Sequence, residues 1–253
     1  MKNWIKALFC TLAIVLPNTT FADGLEDMSA AERAAFRAEV RAYLLENPEV
    51  LLEAIQVLED SRQNAAEQTD LDLVVNNYDA LVDDGFSYVG GNVDGDITVV
   101  EFLDYRCGYC KKAHDEVAAF LKNNPDVRYV IKEFPILGED STESSRAAVS
   151  VLTQQPAETY KKFHNALMKF NGPINDKTLA SLLEDAGGDV EAMFAHMNDE
   201  LVDQIIAKNH QLASAMQITG TPTFIIGPQM VRGYVPLATM EAILADAREA
   251  LVQ

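Results

Sequence analysis

Cys107 and Cys110, in the run Cys107-Gly108-Tyr109-Cys110, constrain this chain more than any other feature. They follow residues 97–102, an Ile-Thr-Val-Val-Glu-Phe run that reads as a buried strand, and they open a helical pattern carrying Val117, Phe120 and Leu121. A CxxC at a strand-to-helix junction reads as a thioredoxin-like redox site. A cross-link between such near neighbours closes a tiny loop and gains little chain entropy, so a disulfide meant for stability would span more chain. The pair reads as made to react. The alternatives are a structural disulfide or half of a zinc site, and zinc wants four Cys or His ligands.

The first residues bear on the compartment. Lys2 and Lys6 supply a positive n-region ahead of an apolar run of about ten residues, 7–16, too short to span a bilayer. Pro17 breaks the run, and Thr20-Phe21-Ala22 leaves small residues three and one before a cut. Residues 1–22 therefore read as a signal peptide, with the mature chain starting at Asp23; a short buried or anchoring helix is the other reading. Cys10 leaves with the leader, so the exported chain keeps only Cys107 and Cys110, in an oxidising compartment. Against 20 Lys and Arg stand 39 Asp and Glu, a net charge of -19. DNA, RNA and anionic membrane surfaces would repel such a chain, so no nucleic-acid partner is expected.

The organisation follows from periodicity. Residues 30–58 read as two helices punctuated at Asn47-Pro48, with Asn47 as N-cap and Pro48 at the first helical position. Phe36, Val40, Tyr43 and Leu44 recur on the first; Val50, Leu51, Ala54, Ile55, Val57 and Leu58 make a broad stripe on the second. After a polar stretch, 61–69, a third helical pattern carries Leu71 to Val82. Asp94-Gly95 is a hairpin signal. Residues 127–134 read as a strand, 141–216 as a run of helices, 224–227 and 230–234 as short strands, and 236–251 as a closing helix. The expected domains are a helical arm over 23–66, a helical linker over 67–85, and a catalytic domain over 86–253 with an insertion at about 141–216.

At this point the residues carry a resemblance. The segment Glu101-Phe102-Leu103-Asp104-Tyr105-Arg106 before the CxxC, the Thr219-Gly220-Thr221-Pro222-Thr223 segment and the helical insertion resemble the DsbA-like thioredoxin-fold proteins of bacterial envelopes. The arm sequence from Ala42 to Leu51 looks like the N-terminal region of the ScsC/Com1 branch of that family. The resemblance implies an α/β thioredoxin fold with a helical insertion, preceded by an N-terminal helical oligomerisation arm.

Thiol–disulfide exchange needs a thiolate to attack a disulfide sulfur and a second thiol to release the mixed disulfide. At a helix N-terminus, unpaired N–H groups and the helix dipole lower a thiol's pKa. Cys107 is therefore expected as the exposed nucleophile and Cys110, one turn in, as the buried resolving thiol. The redox-active disulfide of these two is the only redox group expected, with no added cofactor. Glu101, inside an apolar strand, is costly unless paired or titrating. The resemblance implies an acid near the resolving thiol, and Lys132 on the neighbouring strand is the expected charge partner; a solvated strand-end Glu101 is the other reading. Thr221-Pro222 is an ordinary trans turn on its own. The resemblance implies that it is cis, lies beside Cys107 and forms, with Gly108 and Tyr109, the substrate-binding edge.

His114, one turn after Cys110, either tunes the thiols or is a half-exposed helix residue. Met193, His196 and Met197 share a helix face that suits soft metal, though such a face is more often core. The Gly-Tyr dipeptide and the Thr before the proline resemble envelope disulfide isomerases more than strong oxidases. The resemblance thus implies a periplasmic isomerase or reductase acting on misfolded or oxidised exported proteins, with a membrane thiol reductase as electron donor. It also implies a homo-oligomer through the arm, a trimer before a dimer, where docking of the arm on its own chain is the alternative. A dithiol oxidase, or a copper-tolerance protein binding Cu(I) at Cys107 and Cys110, are the competing functions.

Overall fold

Residues 97–103 and 127–133 set the architecture, because both strands are buried along nearly their whole length and so must be covered on two faces. A computed structural model of the chain describes residues 28–252; the expected signal peptide, its cut before Asp23 and Cys10 lie outside them. In chain order the elements are α1 (Ala30–Glu46), α2 (Glu49–Asn76), α3 (Tyr78–Val82), β1 (Tyr88–Gly91), β2 (Ile97–Leu103), α4 (Gly108–Asn123) and β3 (Val127–Glu133). An all-helical run follows: α5 (Glu139–Gln154), α6 (Ala157–Lys169), α7 (Asp176–Asp185), α8 (Val190–His196) and α9 (Glu200–Ala215). The chain returns to the sheet with β4 (Thr223–Ile226) and β5 (Gln229–Arg232), and closes with α10 (Leu237–Val252).

The sheet order is β1-β3-β2-β4-β5, with β2 and β3 parallel and the other pairs antiparallel. The turn expected at Asp94-Gly95 forms, closed by the Gly95 N–H donating to the Asn92 carbonyl at 3.0 Å. It does not make a hairpin: β1 pairs with β3 instead of β2. Both edges of β2 are already taken, by β3 and β4, so the turn serves a crossover.

The two faces of the sheet carry separate cores. Val99, Leu103, Tyr129, Ile131, Phe224 and Ile226 pack with Val117 and Phe120 of α4, Leu244 of α10 and Phe163 of α6. On the other face Val100, Phe102, Val130 and Ile225 pack with Leu81 of α3 and with Leu212 and Ala213 of α9. Burial of this kind contributes roughly 1.5–3 kcal/mol for each large side chain. The fold is thus the thioredoxin-like sheet with a helical insertion between β3 and β4.

The described chain divides into two compact units, meeting between Ser61 and Arg62. In the N-terminal unit, Ser29 caps α1 through a capping box with Glu32. Asn47 departs from expectation: its side-chain amide donates to the Tyr43 carbonyl at 2.9 Å, so it caps the end of α1, and α2 starts at Glu49. The polar stretch 61–69 does not interrupt the helix either. Side-chain bonds at i,i+4 spacing, Gln63 to Glu67 at 2.8 Å and Gln68 to Asp72 at 3.0 Å, support α2 there without a buried face. No residue of α1 is buried, and Phe36, Tyr43, Leu51, Leu52, Ile55, Val57 and Leu58 are all exposed.

Candidate active site

Cys107 takes the N-cap position of α4, with extended backbone, because β2 ends and the helix begins within four residues. Its sulfur accepts the Cys110 N–H at 3.4 Å, and its S–H donates to the Thr221 carbonyl at 3.1 Å. A hydrogen bond from the Cys110 side chain lowers the Cys107 thiol most. Against burial, the Thr221 side chain and the backbone N–H groups of Cys110 and Tyr109 also lower it, to about 5. Cys110 is fully buried. Burial, then its bond to the Cys107 sulfur, then the charge of Glu101 push its thiol far upward. Both cysteines are free thiols. The expected exposed nucleophile needs correction: Cys107 is only 7% accessible, because the Thr221-Pro222 loop lies over it.

That loop is held from two sides. The Thr221-Pro222 bond is cis. The Gly233 N–H donates to the Pro222 carbonyl at 2.8 Å, and the Thr223 hydroxyl donates to the Gly220 carbonyl at 2.9 Å. Beside it, Gly108 has open space where a Cβ would stand. Tyr109 is 64% exposed, its ring stacked 6.4 Å from that of Tyr234, over which Lys112 Nζ sits at 4.0 Å. The nucleophile, the cis-proline and the two residues between the cysteines thus form one surface.

Glu101 is 3% exposed and faces the core that contains both cysteines. Burial, chiefly, pushes its carboxyl up to about 7; the Cys107 charge adds to this, and a hydrogen bond from Tyr129 opposes it. The Tyr129 hydroxyl donates a short bond to Glu101 Oε2. Lys132 does not pair with Glu101, contrary to expectation. Its Nζ meets Asp84 Oδ2 at 2.5 Å and donates to the Ala80 carbonyl at 2.8 Å. The reason is register: Glu101 lies opposite Ile131, and Lys132 opposite Phe102, so the two side chains leave opposite faces of the sheet. Burial would raise the Asp84 carboxyl, but the Lys132 ammonium holds it below its ordinary range.

His114 is half-buried, its ring 5.4 Å from that of His164. Among the described residues no hydrogen bond joins it to either sulfur. Burial, then Lys169, depress its pKa, which keeps it neutral. Met193 and Met197 are core residues, and His196 bonds Asp199 at 2.8 Å. Among the described residues no cluster of three or more His, Cys, Asp or Glu is arranged to hold a metal.

Three features went unread in the sequence. Tyr129 is the group that meets Glu101. Asp104, fully buried, accepts N–H bonds from Arg106 and Ile136, both at 2.7 Å, and the Ser141 hydroxyl at 2.7 Å, pinning the turn before Cys107 to the insertion. Glu133, 2% exposed, accepts hydroxyls of Tyr105 at 2.7 Å, Tyr160 at 2.8 Å and Ser145 at 2.8 Å. Burial pushes its carboxyl up to about 7. A carboxylate ending an apolar strand is the same anomaly that singled out Glu101, and it was the available signal.

This arrangement offers a thiolate at neutral pH, a protonated second thiol one turn away and a carboxyl that titrates near neutrality, which are the parts thiol–disulfide exchange requires. Comparisons with known proteins agree with it. The ScsC N-terminal domain, described as that of a copper resistance protein, matches residues 32–66. A thioredoxin-like oxidoreductase from Silicibacter pomeroyi is 36% identical, with a TM-score of 0.64, covering 68% of this chain and 98% of its own. Proteus mirabilis ScsC in a transitional conformation is 27% identical, with a TM-score of 0.64, covering 87% of this chain and 98% of its own. The Na(+)/H(+) antiporter NhaA 3 of Salinispora tropica is 25% identical over 167 residues, 66% of this chain and 25% of that protein. The chain therefore spans about a quarter of the length of the first curated relatives it matches. The DSBA-like thioredoxin domain matches residues 98–245, more than half of the chain and both cysteines, and the chain belongs to that family.

Proposed function

We propose that the protein is a periplasmic thiol–disulfide oxidoreductase working as an isomerase or reductase on misfolded or oxidised exported proteins. The observation that carries this reading is the Cys107 sulfur at the head of α4, poised as a thiolate, with protonated Cys110 buried behind it. Cys107 attacks a substrate disulfide; one substrate sulfur joins Cys107 and the other leaves as a thiolate. If that thiolate attacks elsewhere in the substrate, the pairing is rearranged. If Cys110 attacks Cys107 instead, its proton passes to Glu101, the substrate leaves reduced, and the Cys107–Cys110 disulfide remains.

A thiolate this stabilised also favours the reduced protein and makes its disulfide oxidising, so isomerase work requires a membrane thiol reductase to keep it reduced. Gly108-Tyr109 and Thr221, with the exposed apolar arm, support isomerase over oxidase. The arm is proposed to assemble a homo-oligomer, a trimer before a dimer. The copper-resistance description of the matched arm favours a second reading, Cu(I) held by the Cys107 and Cys110 thiolates. Refolding of ribonuclease with scrambled disulfides, beside oxidation of reduced ribonuclease, tests the main proposal: recovery from the scrambled form should exceed oxidation. Oxidation alone would make the protein an oxidase, and metal analysis of the reduced protein with a Cys107→Ser control tests copper.

A further inference from the structure

The resolving step leaves a proton on a carboxyl with almost no route to water. Glu101 is 3% exposed, and Lys132, which would have carried charge to it, lies on the other face of the sheet. Among the described residues, the side chain bonded to the Glu101 carboxyl is Tyr129, whose hydroxyl reaches diagonally from β3 to Oε2. Tyr129, in turn, lines a cavity of about 360 Å³. His114 and Ala118 of α4, Lys161 and His164 of α6 and Gly90 of β1 line the same space. Toward α4 Glu101 faces the two cysteines, and toward β4 the apolar Phe224.

We propose that Tyr129 is the positioning residue that couples Glu101 to this cavity, and that the cavity is the outlet by which the Cys110 proton reaches solvent. The inference rests on the reading of Glu101 as the base for Cys110. In the step, Cys110 loses its proton to the Glu101 carboxylate as its sulfur bonds Cys107; the bond from Cys107 to the substrate sulfur breaks, and the substrate leaves as a thiolate. Glu101, now a carboxylic acid, passes the proton through the Tyr129 hydroxyl to water in the cavity and is again a carboxylate. No oxidant beyond the substrate disulfide is consumed.

The groups facing this route fit it. Burial and the Glu101 charge hold the Tyr129 phenol far above its ordinary range, so it stays protonated and donates to the carboxylate. Burial lowers His164 to about 3 and depresses His114, so the cavity wall adds no fixed positive charge from either ring. Lys122 of α4 and Lys161 of α6 are the cations that line it. Tyr160 of α6 and Cys110 are the further titratable groups felt by Tyr129, and burial keeps both protonated, as it does Tyr88 in the cavity wall.

The test reacts the fully reduced, full-length protein with an aromatic disulfide whose thiolate is coloured. The first release reports attack by Cys107 and the second reports attack by Cys110. For the parent, the second phase should rise with pH as Glu101 ionises, at or below the value of about 7 that it has beside a charged Cys107, which the mixed disulfide neutralises. Tyr129→Phe removes the donor that favours the carboxylate, so the midpoint of the second phase should move up by about one pH unit or more, with the first phase unchanged. A second phase slowed equally at all pH values, with its midpoint unmoved, means that Tyr129 only supports the fold and overturns the proposal. Ala118→Trp, at an exposed position of α4 on the cavity wall, should slow the second phase several-fold without moving its midpoint. An unchanged rate there overturns the outlet even if Tyr129→Phe fails to fold. Glu101→Gln separates the two readings, since a second phase that survives it removes Glu101 as the base, whatever Tyr129 does.

Discussion

Glu101 and Lys132 occupy adjacent parallel strands one step out of register, and the step sends them to opposite faces of the sheet. Lys132 is instead the buried partner of Asp84, whose side chain is 9% exposed. Lys132→Met should therefore leave an uncompensated carboxylate and cost about 3–5 kcal/mol in urea unfolding. The pH profile of Cys107 alkylation should not move. A profile that shifts with the substitution would return Lys132 to the redox site.

Alkylation of the reduced protein should be selective. The rate at Cys107 is expected to follow a midpoint near 5, where an unperturbed thiol titrates at about 8.5. Cys110, fully buried and with its thiol pushed upward, should stay unlabelled across the neutral range. Peptide mapping after brief treatment at pH 6 reads both. Equal labelling of the two cysteines would undo the helix-terminus argument.

Buried Glu133 should make stability depend on pH. Its carboxyl titrates at about 7 in the folded protein, above the value of about 4.3 for an unfolded chain. The folded state therefore holds this proton more tightly. The stability it contributes is full below about pH 4 and is lost as pH rises through about 7. Glu101 acts in the same sense, and in the oxidised protein Cys107 does not titrate against them. Oxidised parent should thus unfold at lower urea at pH 8 than at pH 5. Glu133→Gln, which keeps a neutral side chain there, should retain roughly 2–3 kcal/mol more at pH 8 relative to pH 5. An identical fall in parent and variant would place the effect in another group.

The apolar side chains of α1 and α2 lead to a prediction about assembly. Leu51, Ile55 and Leu58 are each about half exposed, and full burial would contribute roughly 1.5–3 kcal/mol apiece. Deleting residues 23–66 should give a soluble monomer that oxidises dithiols and isomerises poorly, because both cysteines and the cis-proline remain. Light scattering of the two proteins checks the first half, and a monomeric full-length chain defeats it. Ribonuclease refolding checks the second, which fails if the truncated protein isomerises as well as the parent.

Thr221→Val tests the residue before the cis-proline. Hydrogen bonding from the Thr221 side chain is one of the interactions that lower the Cys107 thiol. Its loss should raise the alkylation midpoint; a less stabilised thiolate makes the disulfide less oxidising, so the ratio of isomerase to oxidase activity should move toward isomerisation. A constant ratio would remove Thr221 from selectivity.

Cys107 at the head of α4 was legible in the sequence because its placement is local. A β-branched run, two cysteines and a helical period follow one another within about twenty residues, and the helix terminus lowers the thiol wherever the rest of the chain goes. The thioredoxin-like order of elements and the helical insertion were legible for the same reason, as alternations of period 2 and period 3.6. The extent of α2 was misread because its polar stretch lacks an apolar stripe, and side-chain pairs at i,i+4 support the helix there instead. What surrounds Glu101 was decided only by the tertiary structure. A strand shows its residues to alternate faces, so one residue of register determines whether β3 offers Glu101 the phenol of Tyr129 or the ammonium of Lys132. That register is fixed by burying Tyr129 and Ile131 against one core and Val130 against the other, and no span of sequence near Glu101 contains this information.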